Sequence, residues 1–218
     1  MLACYIASAN CFAQSTRPGG VAEFGGQYPF VYYTPRDGLA NSRVRSIKQD
    51  SKGRMYFLTY GGLSVHDGSR FINYTTQDGL ANDVVNDVFE INSDSLLVAT
   101  NTFKLNVLAS GKINSFKTVD GFCPTVNRFH RSSDGHLYAA TDQGLFILDK
   151  QRFIQVPTLV DNINVALFLE NIIEYKDYLL LVPWSKEIKE KLVVYDKKKS
   201  QSNRCFYKRK NIWHGNRS

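Results

Sequence analysis

An all-β repeat fold, a β-propeller of about four blades with four antiparallel strands in each, is what this 218-residue sequence predicts. Three observations carry that expectation. Asp37-Gly38-Leu39-Ala40-Asn41 returns letter for letter 41 positions later as Asp78-Gly79-Leu80-Ala81-Asn82. The same step of 41 links Thr59, Thr100 and Thr141, then Val44, Val85 and Val126, and the apolar series Ile47, Val88 and Phe129. Asp67 to Asp149 and Phe71 to Phe153 span 82 positions, twice the step, with the middle copy blurred by inserted residues. A fixed period of this size marks stacked units, none of which buries both of its own faces alone.

Inside one unit, short apolar runs are bounded by Gly, Asp, Asn and Ser, the pattern of strands rather than helices. In the first copy the runs are 43–49, 54–59, 63–66 and 71–75. Asp50-Ser51-Lys52-Gly53, Tyr60-Gly61-Gly62 and Asp67-Gly68-Ser69-Arg70 separate them. Glycine reaches positive φ without a Cβ clash, and Asp, Asn and Ser fold back onto nearby backbone groups, so these separators are short hairpin turns. Gly53 and Gly135 hold the same place in copies one and three, and Asp94 takes it in copy two, ahead of the strands 96–99 and 136–140. The run Met55-Tyr56-Phe57-Leu58 is apolar nearly throughout, as a strand covered on both faces should be.

A divergent fourth copy follows. One more step of 41 places Leu137 on Tyr178 and Thr141 on Val182, within the apolar run 178–182. After Pro183-Trp184 an excursion over 185–190 delays the strand 192–195, whose closing Asp196 lies 47 rather than 41 beyond Asp149. That is a loop insertion, tolerable because closure cost grows slowly with length. The blades therefore fall at 43–75, 84–118, 125–156 and 162–200, inside a propeller region of 30–200. Leucine-rich and tetratricopeptide arrays are excluded by the period, and WD-type blades by tryptophans, Trp184 and Trp213, that do not recur.

The ends differ from this centre. Residues 1–13 are a short apolar, small-residue run ending Cys11-Phe12-Ala13, which reads as a signal peptide with Ala13 its last residue; a disordered leader is the alternative. The missing basic n-region is what a start assigned too late would leave, and Asn10 before Cys11 speaks against a lipoprotein box. A leader or linker over 14–29 comes next. Residues 30–34, Phe30-Val31-Tyr32-Tyr33-Thr34, are expected to serve as the outer strand of another blade. They either close four blades by joining the last one, or belong to a piece of a longer ring. Seven blades would need about 290 residues, which favours the piece. Residues 201–218 are expected to form an irregular basic tail. Residues 1–185 hold 16 Lys and Arg against 17 Asp and Glu, whereas 186–218 hold 11 against 3, so the basic balance belongs to the end of the chain. Lys197-Lys198-Lys199 and Lys208-Arg209-Lys210 read as a solvated loop and a ragged end, because no stacking platform or basic stripe accompanies them.

Catalysis needs a nucleophile beside a base, paired carboxylates or grouped ligands. The sequence offers no such set, so no catalytic, metal or cofactor residue is nominated, and ligand-contacting residues stay unknown. His66, His130, His136 and His214 are scattered without ligand spacing. Cys4 and Cys11 fall in the leader, leaving Cys123 and Cys205, too few for a disulfide framework. Asp37, Asp78 and Asp120 recur with the repeat and are read as turn formers. The triplet Asn73-Tyr74-Thr75 sits in a repeat strand and reads as incidental, and the 14 Phe and 12 Tyr are mostly blade packing. There is no phosphate-binding Gly-rich loop, no kinase motif and no apolar stretch long enough to cross a membrane.

The cycle of Phe71-Ile72-Asn73-Tyr74-Thr75, Asp78-Gly79-Leu80-Ala81-Asn82, Gln49-Asp50-Ser51-Lys52-Gly53, Tyr56-Phe57-Leu58-Thr59 and Gly62-Leu63-Ser64 resembles the two-component regulator propeller repeat. The family's aromatic strand usually carries Trp and then Gly-Thr, where this chain has Tyr56 and Leu58-Thr59. Such blades form the periplasmic sensor of hybrid histidine kinases in Bacteroidetes-type bacteria. The resemblance covers about 30–156. It implies an exported, periplasmic sensing domain of an inner-membrane receptor whose kinase lies outside this chain. Its implied partners are an oligosaccharide or other small extracellular ligand, the downstream propeller and kinase segments, and a second copy in a homodimer; nucleic acid is not among them. A free-standing secreted binding scaffold and a propeller lyase are the alternatives.

Overall fold

The computed structural model describes residues 20–23, 29–157, 159–160, 163–164, 167–184, 192–198 and 205–206. The expected signal peptide, most of the leader, the 185–190 insertion and most of the basic tail lie outside them. A strand pair, β1 (Gly20–Glu23) and β2 (Pro29–Tyr32), comes first. Four four-stranded antiparallel sheets follow, each with its strands in chain order. Blade one is β3 (Val44–Gln49), β4 (Met55–Thr59), β5 (Gly62–His66) and β6 (Phe71–Tyr74). Blade two is β7 (Val85–Asn92), β8 (Ser95–Thr100), β9 (Leu105–Ala109) and β10 (Lys112–Phe116). Blade three is β11 (Val126–Arg131), β12 (Leu137–Thr141), β13 (Gly144–Asp149) and β14 (Arg152–Val156). A small hairpin, β15 (Leu159–Val160) and β16 (Ile163–Asn164), precedes blade four, which is β17 (Leu169–Tyr175), β18 (Tyr178–Pro183), β19 (Val193–Asp196) and β20 (Cys205–Phe206). The all-β propeller expected from the period is the observed fold.

Of the two places expected for the strand at 30–34, the last blade is not the one taken, because β2 pairs with β1. One strand departs from expectation. The outer strand of blade four is β20, taken from the stretch read as an irregular tail; Val194 faces Phe206 and Tyr195 faces Cys205 across it. Strand pairing is a main-chain interaction and requires no repeated letters, which is why a basic, non-repeating stretch hid it.

Alternation within a strand explains how the blades stack. Side chains of a strand point to opposite faces in turn. Leu96 and Val98 accordingly enter one apolar cluster with Tyr56, Leu58, Leu63 and Val65 of blade one. Their neighbours Leu97 and Ala99 enter another with Phe129, Leu137, Ala139 and Phe146 of blade three. Tyr138 and Ala140 then turn to Leu169, Ile172, Leu179 and Leu181 of blade four. Blades two and three are thus covered on both faces; blade one is not, and along the apolar run 55–58 Tyr56 and Leu58 are buried while Met55 and Phe57 are only half-buried, because no described blade lies against that face.

Every letter of the recurring pentapeptide has a task. Asp37 and Asp78 accept from the backbone N–H and the hydroxyl of Thr34 and Thr75, closing capping boxes on the 3-10 turns Pro35–Asp37 and Thr76–Asp78. Gly38 and Gly79 follow at φ 105° and 104°, a left-handed backbone that favours glycine. Leu39 and Leu80 are buried. The N–H of Ala40 donates to Ser64 Oγ at 2.8 Å and that of Ala81 to Asn106 Oδ1 at 2.9 Å. Asn41 and Asn82 then accept from the N–H two residues on, turning the chain into the next inner strand.

Candidate functional site: the axial mouth

The inner strands β3, β7, β11 and β17 share an irregularity that the period conceals. Pairing with the second strand slips between Val44 and Ser46, Val85 and Asp87, Val126 and Arg128, and Leu169 and Asn171. One residue in each blade is thereby set out of register: Arg45, Asn86, Asn127 and Glu170. Bulges of this kind re-aim side chains and occur at barrel rims and beside functional sites. Here they build a ladder between blades. Arg45 Nη1 donates to Asn86 Oδ1 at 2.6 Å, Asn86 Nδ2 to the Val126 carbonyl at 3.1 Å, and Asn127 Nδ2 to the Leu169 carbonyl at 3.0 Å.

The next positions in blades one, two and three, together with Lys48, form a charged knot between the inner strands. Asp87 is fully buried and accepts from Phe129 N at 2.7 Å, with Lys48 Nζ at 3.1 Å and Arg128 Nη1 at 3.3 Å. Arg128 also reaches Ser46 Oγ, at 3.4 Å, so the inner strands of blades one, two and three converge. A buried carboxylate demands such partners, and its two cations with one N–H meet that demand.

Above the bulges, the turn between second and third strands is tied down the same way in all four blades. Tyr60 N donates to Arg43 O at 3.2 Å, Asn101 N to Val84 O at 2.9 Å, Asp142 N to Thr125 O at 3.2 Å and Trp184 N to Phe168 O at 2.8 Å. These bonds make Tyr60, Asn101, Asp142 and Trp184 equivalent positions at one mouth. The backbone repeats there; the chemistry does not. Blade one presents Arg43 over the Tyr60 ring at 4.3 Å and Arg45 at 5.6 Å. Blade three presents Asp142, whose Oδ1 is shielded and has no hydrogen-bond partner. Blade four presents Phe168 against Trp184, ring centroids 5.7 Å apart, both exposed. The equivalent turns thus carry a cation-covered tyrosine in blade one, a shielded acceptor in blade three and an exposed aromatic pair in blade four.

The densest polar cluster lies elsewhere and has a structural explanation. Glu174 accepts from His130 Nε2 at 3.0 Å, Ser132 Oγ at 2.8 Å, Ser133 N at 3.1 Å and Lys197, which also reaches Ser132 Oγ at 3.1 Å and Ser133 Oγ at 3.0 Å. A serine beside a lysine invites a nucleophilic reading. Glu90 nevertheless holds Ser51 N of blade one in the same way, at 3.0 Å, without lysine or histidine. Both glutamates therefore clamp the first turn of one blade to the inner strand of the next. The Lys197 ammonium, then the Ser133 hydroxyl, hold the Glu174 carboxyl well below the usual carboxylate range. Lys197 is thus not the solvated loop residue its lysine run implied. Lys198 pairs with Asp177 at 2.7 Å.

The residues singled out in the sequence scatter accordingly. His66 packs on Phe71 at 4.7 Å, His136 pairs with Asp134 at 3.2 Å, and His214 lies outside the described residues. Cys123 is a free thiol that burial pushes up to about 11, an unreactive state at neutral pH. Cys4 and Cys11 lie outside the described residues, and Cys205 is placed only as part of β20. Asp120 accepts from Phe122 N at 3.2 Å, the turn role expected of it, and Asn73 of the glycosylation triplet donates to Gly38 O at 2.8 Å. Among the described residues no three His, Cys, Asp or Glu side chains gather as a metal site needs. Nor, among them, is any helix long and apolar enough to cross a membrane. The mouth residues escaped sequence reading because they are defined by not repeating. Positions 45, 86, 127 and 46, 87, 128 also keep the 41-residue step, and reading those columns for change instead of identity would have found the ladder and the knot.

Four-stranded sheets stacked about converging inner strands define a β-propeller. Residues 38–61 match the family described as the two component regulator propeller, so the chain carries that repeat, as its letters indicated. No curated protein is similar enough in sequence to count as a relative. Among solved structures the chain resembles the extracellular domains of two hybrid two-component systems of B. thetaiotaomicron. The first shares 18% identity at a TM-score of 0.64 over 85% of this chain, the second 15% at 0.57 over 88%. The chain spans about a quarter of each of those domains, 25%. Virginiamycin B lyase from Staphylococcus aureus, solved with quinupristin, is similar at 14% identity and a TM-score of 0.59, over 84% of this chain and 60% of the lyase. At such identities the likeness is one of fold.

Proposed function

We propose that this chain is a ligand-sensing, extracytoplasmic propeller of a two-component signalling receptor, acting in the periplasm, with the kinase carried by another part of the receptor. The ligand is polysaccharide-derived, an oligosaccharide held at the axial mouth. The observation that carries this reading is the contrast at equivalent turn positions: an identical main-chain bond supports Tyr60, Asn101, Asp142 and Trp184, four unlike side chains. Sugar rings offer flat C–H faces to Phe168 and Trp184 and hydroxyl edges to Arg43 and Arg45. The matched repeat and the fold shared with extracellular two-component sensor domains support the receptor context.

Calorimetry against an oligosaccharide panel tests it, with the fluorescence of exposed Trp184 as a second readout. Binding should weaken about tenfold or more on Trp184→Ala and on Arg43→Ala, in line with stacking and charge-assisted contacts of 1–3 kcal/mol. Silence across the panel, or binding untouched by both substitutions, would contradict the proposal.

A further inference from the structure

Glu90, Arg131 and Glu174 hold the same register on the inner strands β7, β11 and β17, each facing a leucine of the second strand: Leu96, Leu137 and Leu179. At the first and third junctions the glutamate reaches back to the preceding blade, accepting from Ser51 N at 3.0 Å and from Ser133 N at 3.1 Å. At the middle junction a cation replaces that acceptor. Arg131 has only donors to offer; its Nη1 turns to Gly135 O of its own blade at 2.9 Å, and its guanidinium lies over the Phe89 ring of blade two at 5.2 Å. Most of its N–H donors stay open, and among the described residues no carboxylate pairs with it.

A hollow opens where the clamp is missing. It measures about 350 Å³, walled by Phe89 and Phe116 of blade two and by Leu137 and Ile147 of blade three, with the exposed Arg131 and Lys150 beside them. That volume falls within the range of small-molecule sites, about 300–1,000 Å³. The two cations outnumber the one carboxylate that lines it, Asp149, and His136 at its edge is paired with Asp134. Turns joining first to second and third to fourth strands border it, so it lies at the end of the blades away from the mouth. Apolar walls favour an apolar body, and an uncompensated guanidinium beside them favours an anionic group on that body. We propose that this hollow binds a small amphipathic carboxylate, an apolar ring bearing one carboxylate, with Arg131 holding the carboxylate and Phe89 and Phe116 packing on the ring. The ligand then supplies between blades two and three the anionic link that a glutamate supplies at the junctions on either side. This site is separate from the axial mouth and does not depend on what the mouth binds.

Titration of the whole chain with 2-naphthoate, followed by calorimetry and by the fluorescence of the ligand, tests this, with uncharged 2-naphthamide as the control. Naphthoate should saturate a single site and bind about tenfold or more tighter than the amide. Arg131→Gln should weaken naphthoate by about the same factor and remove its advantage over the amide. Arg131→Glu, which installs the residue type of the other two junctions, should abolish its binding. Urea midpoints of both variants should stay near that of the parent, since Arg131 is exposed, and this separates lost binding from a lost fold. Trp184→Ala, at the mouth, should leave naphthoate binding unchanged. Absence of saturable binding, equal binding of acid and amide, or binding lost with Trp184→Ala but kept with Arg131→Gln would overturn the proposal.

Discussion

The inner strands of blades one and two carry the same apolar pattern at the same spacing, yet Ile47 is 53% exposed and Val88 only 4%. Phe129, one step further, is again 4% exposed. The strand is the same; the neighbour differs. In a stacked fold burial is a property of the pair of sheets, so equal letters predict equal positions but not equal energies. The largest test of this lies in truncation. Phe129→Ala should cost about 3–5 kcal/mol and Ile47→Ala at most about 0.5 kcal/mol, read from urea midpoints at concentrations where the chain is monomeric. Equal costs would break the comparison.

Two glycines sharpen it. Gly62 and Gly144 open the third strands of blades one and three at φ 124° and 116°. A Cβ on Gly62 would lie 2.5 Å from the Tyr74 carbonyl oxygen, whereas one on Gly144 would approach only the end of the Gln155 side chain, at 3.8 Å. Both alanine variants suffer the left-handed backbone, roughly 1–2 kcal/mol. Gly62→Ala should lose clearly more, because main chain rather than a flexible side chain must move, and denaturant melts of the two variants decide it.

A smaller effect separates the three threonines of the period. Thr59 and Thr141 each donate to the carbonyl of the glycine three residues on, at 2.7 and 2.8 Å. Thr100 is equally buried, but its hydroxyl finds no partner: the third strand of blade two starts at Leu105, five residues on, where Gly62 and Gly144 start theirs three residues on. Replacing Thr59 or Thr141 by valine should therefore cost about 1 kcal/mol, and Thr100→Val should be neutral or stabilising.

The two interblade clamps give the last contrast. Glu174 has a lowered folded-state pKa, set first by Lys197 and then by Ser133, so its contribution is complete above the ordinary glutamate value of 4.5. It is lost as the pH falls below that value toward the lowered one. Blade four should loosen from blade three under acid, and Glu174→Gln should flatten that part of the stability profile, measured by urea unfolding between neutral and acid pH. A profile unchanged by the substitution would remove Glu174 from the account.

These contrasts also mark what the letters revealed. Strand positions, turns and blade count were legible because each recurring residue answers a recurring local need: Asp78 its capping box, Gly79 its left-handed backbone, Leu80 its burial. Strand β20 was not, since main-chain pairing left no mark on the basic stretch around Cys205. The mouth was hidden for the opposite reason. Tyr60, Asn101, Asp142 and Trp184 hold equivalent places through a main-chain bond, and their letters share nothing that would have marked those places as alike. Lys197 was misjudged as solvated because a clamp to Glu174, 23 residues away, has no local signature.

Amide hydrogen exchange, followed at concentrations where the chain is monomeric, tests the central claim most directly. Inner strands β7 and β11, covered on both faces, should exchange slowly and together, while β3, open on its leading face, should exchange distinctly faster. Equal protection of β3, β7 and β11 would mean that burial does not follow the neighbouring blade, and the account of stacked, mutually supporting sheets would fail.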